Sequence, residues 1–253
     1  MKIRYFLSLF ITILLLPSGY GYGQGTTANH QQRLLQSFMS GDMSDWVRVI
    51  EGLKGEYKKT QSKDVLYELT HAQYGYIGYL IGAKQTKQAR QVLAEAEANI
   101  DLLLNSHPRN ANALAIKGAL VAYHISLSPL KAPFLGPRSV ALIDESISID
   151  PNAVQALIEK GNAAHYAPSM FGGDPVVAVK YYSKAIAALE KQNSNQQTWL
   201  FLSTQAQLAL AFEKAKQIDN AKKTYLNILK IAPDFKWVRD ELYPKFLLSN
   251  SLL

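Results

Sequence analysis

Residues 198–233 read TWLFLSTQAQLALAFEKAKQIDNAKKTYLNILKIAP, and their spacing decides the fold. Leu202, Leu208, Ala209 and Phe212 fall on one face of a first helix, and Ala221, Tyr225, Ile228 and Leu229 on one face of a second. Steps of three and four residues stack side chains along a helix, whereas a strand would alternate every second residue. Pro233 closes the pair, since a proline has no N–H with which to continue a helix.

Working outward, the same pattern returns. Ala178, Tyr182 and Ala185 repeat the spacing of Ala221, Tyr225 and Ile228, and Ala89, Leu93 and Ala96 do so again further upstream. A small residue lets two helices approach, and the bulky residue four positions later fills the groove between them. Pro108 and Pro151 end helix-like stretches as Pro233 does, and the polar run Gln192-Asn193-Ser194-Asn195 supplies the boundary missing between them. The unit is therefore a helical pair that recurs about every 41–43 residues.

On Leu208-Ala209, Phe212, Ala221, Tyr225 and Pro233, with Gly118 and Gly161 at small-residue positions of earlier first helices, the chain resembles tetratricopeptide-repeat (TPR) proteins. The resemblance implies an all-α right-handed superhelix, here of about 10–11 helices. It spans residues 62–233, with divergent opening helices over 24–61 and a capping helix over 234–253 that Pro244 kinks or ends. The spacing predicts helices over 30–40, 43–59, 62–83, 85–106, 110–127, 138–149, 152–167, 174–192, 197–216, 219–231 and 235–248, with Asp42 and Asp219 as candidate N-caps.

Residues 1–23 read differently. Lys2 and Arg4 precede the apolar run Phe6–Leu16, which is shorter than the ~20 residues of a bilayer span. Pro17, Ser18 and Gly19 break it, and Gly21 and Gly23 put small residues ahead of Gln24, the pattern of a cleaved export signal. The expected product is exported, periplasmic where two membranes exist, and without a membrane span. With no cysteine in the chain, a disulfide framework, a thiolate site and a lipidated amino terminus are excluded. The net charge of +7, or +5 once Lys2 and Arg4 are removed, comes without a dense basic cluster and does not point to nucleic acid.

Two stretches exceed what a helical hairpin needs. Ser128–Pro137 holds three prolines and Phe134, and Ala167–Pro175 holds Phe171 beside Gly172 and Gly173. Both join helices within consecutive units, so both belong on one edge, where they can form a wall or lid. Asp174 followed by Pro175 is also an ordinary helix start. The phrase Met170-Phe171-Gly172-Gly173-Asp174 before the Ala178-Tyr182-Ala185 helix resembles a signature of exported bacterial TPR proteins, including the T-component associated with TRAP transporters. That resemblance implies a stack enclosing a ligand-sized cavity and working with a periplasmic solute-binding protein.

No phosphate loop, nucleophile elbow or paired carboxylates appear, and no two histidines lie within five residues of each other, so neither an enzyme nor a metal or other cofactor is expected. His71, His124 and His165 fall on successive first helices, and Tyr74, Tyr76 and Tyr79 interleave with glycines on one of them. The expected function is an exported scaffold binding a protein or peptide in its concave groove; the alternative is a small-ligand-binding accessory protein of a transport system, holding a small apolar ligand. The candidate contact residues are Tyr123, His124, Phe134, His165, Tyr166 and Phe171.

Overall fold

The computed structural model describes residues 24–192 and 198–250. The expected export segment, residues 1–23, lies outside the described residues, as does most of the polar boundary after Gln192. Eleven α-helices account for nearly all of what is described, with no strand among the described residues. They are α1 (Gln24–Ser40), α2 (Met43–Thr60), α3 (Lys63–Gly82), α4 (Thr86–Ser106), α5 (Ala111–Leu127), α6 (Ala132–Ile149), α7 (Val154–Tyr166), α8 (Pro175–Gln192), α9 (Trp199–Lys214), α10 (Ile218–Ile231) and α11 (Tyr243–Asn250). Helices pair as antiparallel hairpins, α3 with α4, α5 with α6, α7 with α8 and α9 with α10, and each hairpin packs on the next. The fold is an all-α, TPR-like helical solenoid.

Local chemistry sets the boundaries. Asp42, Asn110 and Thr198 each cap a helix by accepting from a backbone N–H in its first turn, at 3.0, 3.0 and 3.2 Å. Asp174 does the same for α8 through Val176 and Val177. Asp219 is not a cap: α10 starts a residue earlier, from Gln217, and Asp219 sits within its first turn, where its charge favours the positive end of the helix.

The stretch 128–137 is less of a loop than its prolines suggest. Pro129 opens a single 3₁₀ turn and α6 already begins at Ala132. Pro133 occupies the first turn, where no N–H is needed, whereas Pro137 lies inside α6, where it removes one ladder bond and crowds the carbonyl four residues back, yet the helix continues through it. At the far end the expected capping helix is split into a π-wound turn, Trp237–Leu242, and then α11, with Pro244 at its second position.

The repeat motif is buried as its spacing requires. Ala89, Leu93, Ala96, Ala178, Tyr182, Ala185, Ala221, Tyr225 and Ile228 are all fully buried. The small positions on first helices are equally tight: a Cβ at Gly161 would stand 2.6 Å from the Tyr182 ring, and one at Gly118 would stand 2.8 Å from Ile143.

The stack also folds back on itself. Helix α1 packs against α9, and its Leu35, Phe38 and Met39 join the core of α9, α10 and α11. Trp199, at the start of α9, in turn belongs to the core of α2–α5. The opening pair thus bridges the two ends of the stack.

Candidate functional site: an acid among tyrosines on the inner face

The first helices α3, α5, α7 and α9 present their inner sides to one another, and aromatic rings fill much of the space between them. The Trp199 ring lies 5.1 Å from Trp46, 6.3 Å from Phe38 and 4.9 Å from His71, centroid to centroid. Trp46 donates its indole N–H to the Ala72 carbonyl at 2.9 Å, which fixes its ring over Gly75. One shallow cleft lies beside Glu97, Asp101, Lys117 and Arg138, and another at the α3–α4 turn.

Beside this plug sits a polar cluster. Glu159 of α7 is buried; its Oε1 accepts from Gln155 Nε2 at 2.7 Å and its Oε2 from Asn162 Nδ2 at 3.0 Å. The Tyr74 hydroxyl lies close to the same carboxyl, and Tyr182 donates to Asn162 Oδ1 at 2.7 Å. Burial pushes the Glu159 carboxyl above its ordinary range, and Tyr74, Asn162 and Gln155 hold it partly back. These partners are all neutral. Burial also raises Tyr74, Tyr123 and Tyr182, and the nearby Glu159 charge adds to the rise in each. Three tyrosines therefore lie around one acid that has neutral donors and, among the described residues, no cationic partner.

The six residues expected to make contacts divide into three groups. Tyr123, His165 and Tyr166 belong to the inner face. Tyr123 stacks on Tyr74 at 5.7 Å and donates to the Tyr74 carbonyl at 3.2 Å. Tyr166 has its side chain largely in solvent while its hydroxyl donates to Gln207 Oε1 of α9 at 2.7 Å, linking α7 to α9. His165 is buried edge-on to Tyr166, its Nδ1 without a partner. Burial first, and then the nearby Lys214 charge, lower its pKa to about 4; the Lys214 ammonium donates to the His165 carbonyl. Phe134 and Phe171 lie apart on the turn edge, 82% and 60% exposed. His124 turns the other way and pairs with Glu97 of α4 at 2.9 Å, so it does not join the inner-face cluster.

Glu159, Gln155, Asn162 and the Trp46–Trp199 plug escape the motif search. A signal for the first three exists: residues 155, 159, 162 and 166 follow helical steps of four, three and four along VQALIEKGNAAHY, a polar stripe in a helix whose other faces are packed. Nothing local announces the plug, because Trp46 and Trp199 come from opposite parts of the sequence.

No protein-family model and no curated protein matches the sequence. Among solved structures, the fold is similar to TTC0263, a thermophilic TPR protein in Thermus thermophilus, with a TM-score of 0.59 at 14% identity, over 87% of this chain and 99% of that one. At that identity the likeness concerns the fold, which both chains build as a TPR-type helical stack.

Proposed function

We propose that the chain is an exported, non-enzymatic scaffold that receives a protein or peptide partner on its inner face. The observation that carries this reading is Glu159, a buried acid ringed by tyrosines and served only by neutral donors. Such a setting suits a basic side chain of a partner, whose ammonium or guanidinium would pair with the carboxylate and lie against aromatic faces. Tyr166, largely exposed, and Tyr123, partly buried, are amphipathic side chains of the kind enriched at interfaces. Export rests on the reading of residues 1–23.

The test is capture from an envelope extract, followed by affinity measurement on the partner obtained. Glu159→Gln keeps the shape and removes the charge, at the cost of one of the two amide hydrogen bonds that the carboxylate accepts, and it should weaken binding about tenfold or more while circular dichroism shows the helices intact. Equal affinity for the wild type and Glu159→Gln would remove the site. The alternative, a small-ligand accessory protein of a transport system, needs an enclosed apolar cavity lined by first-helix residues and closed by the two turns. A rise of about 5 °C in melting temperature with one compound of a metabolite and lipid panel would favour it instead.

A further inference from the structure

The first helices run parallel, with α3 beside α5 and α5 beside α7, so the turns inside each hairpin gather on one edge of the stack. This edge is apolar at its tips. Leu130, Phe134 and Met170 are 90%, 82% and 82% exposed, the three most exposed large apolar side chains among the described residues, and Phe171 and Val176 join them. Isolated exposed apolar residues are common, but five large ones on two neighbouring turns form a patch that water disfavours. Three are held out by firm local structure: Leu130 lies in the 3₁₀ turn after α5, and Met170 and Phe171 in the one after α7, where the Gly173 and Asp174 backbone N–H groups bond Pro168 and Ala164.

The same edge is basic. Lys84 and Lys87 flank the α3–α4 turn, Lys131 follows Leu130, and Lys214 and Lys216 sit at the α9–α10 turn, all exposed. Arg90 reaches the Leu127 carbonyl with its guanidinium at 2.6 Å, which holds it beside the first apolar turn. Of the acids nearby, Asp42 and Asp174 are engaged in capping helices and Asp219 lies in a helix's first turn. A protein helix would want a groove to lie in, whereas these side chains project from helix ends. Projecting apolar tips among cations match a lipid–water boundary, where side chains enter the acyl region and ammonium groups meet phosphates.

We infer that this edge seats the protein on an anionic bilayer surface, with Leu130, Phe134, Met170 and Phe171 inserted and the surrounding lysines on the headgroups. No helix of the described residues is long and apolar enough to cross a membrane, so the contact is peripheral. The inference is independent of Glu159, and either can fail alone.

The chain has no cysteine, so single cysteines can carry a polarity-sensitive dye on the full-length protein without background. Labels at Phe134→Cys and Phe171→Cys report this edge, and one at Asn152→Cys reports the opposite edge; a label there separates edge insertion from any lipid contact made by residues 1–23. With phosphatidylglycerol/phosphatidylethanolamine vesicles the first two should shift to the blue and the third should not. Pure phosphatidylcholine should move none of them. Reversing Lys84, Lys87, Lys131 and Lys216 to Glu should cut the edge-label response about tenfold or more, as should raising the salt. Circular dichroism confirms that these exposed substitutions leave the helices intact. No shift at Phe134 and Phe171, or equal shifts on both edges, overturns the inference. So does a shift produced by a soluble envelope protein without vesicles, which assigns the edge to a protein partner.

Discussion

Replacing Trp199 with alanine removes the side chain that ties the end of the stack to its beginning. The ring is 3% exposed and lies against Phe38, Trp46, His71 and Tyr74, so substitution empties a space bounded by four helices. Its indole N–H has no partner, so no hydrogen bond is lost and the cost is packing alone. A buried Trp→Ala change costs about 3–5 kcal/mol. In a chain of 253 residues, where 1 kcal/mol moves the melting point by about 2–4 °C, the expected fall is about 10 °C. Calorimetry measures the fall, and amide exchange locates it: α1 should lose protection first, because its Phe38 spans both cores. Trp199→Phe should recover a good part of the loss. A drop below about 4 °C with α1 protection unchanged would refute the idea that this contact holds the two ends together.

Other expectations follow from single contacts. Gly161→Ala drives a methyl into the Tyr182 ring and should destabilise by about 1–3 kcal/mol, whereas Gly55→Ala in α2 meets nothing within 4 Å and should stabilise by about 0.5–1 kcal/mol; thermal melts of the two variants should move in opposite directions. The His71 imidazole, enclosed by Tyr67, Tyr74 and Trp199, has its pKa lowered by burial to about 4. Because the folded value lies below the unfolded 6.5, the unfolded chain takes up a proton that the folded chain refuses, so stability falls as pH drops from about 6.5 to about 4, by up to about 3 kcal/mol. Glu159 works in the opposite sense, its raised carboxyl eroding stability as pH rises. Urea unfolding at pH 7 and 4.5 should show a shallower acid loss in His71→Phe; an identical loss would contradict the assignment.

What could be read in advance was whatever is local and repeated. Ala178, Tyr182 and Ala185 announce their burial by spacing, because every helical hairpin meets its neighbour through the same small-then-large pair. Asp42 and Asp174 are legible as caps for the same reason, being governed by chemistry within a few residues. Pro133 and Pro137 mislead: prolines read as helix breakers, yet Pro133 sits in the first turn of α6, where it costs little, and the helix runs on through Pro137. The inner face is the least legible part. Tyr74, Glu159, Tyr166 and Gln207 come from three helices, and only packing brings them together. Tyr123 and His124 are neighbours in sequence but point about 100° apart on α5, so one faces the acid and the other Glu97.

The meeting of α1 with α9 bears on how such a chain can change its length in evolution. An open array of repeats grows or shrinks by whole units, each added or lost with only its neighbours affected. Here the terminal elements are mated, so inserting or deleting one hairpin would pull Phe38 away from both Trp199 and Phe235. The number of units is thereby locked, and drift is confined to the turns between them.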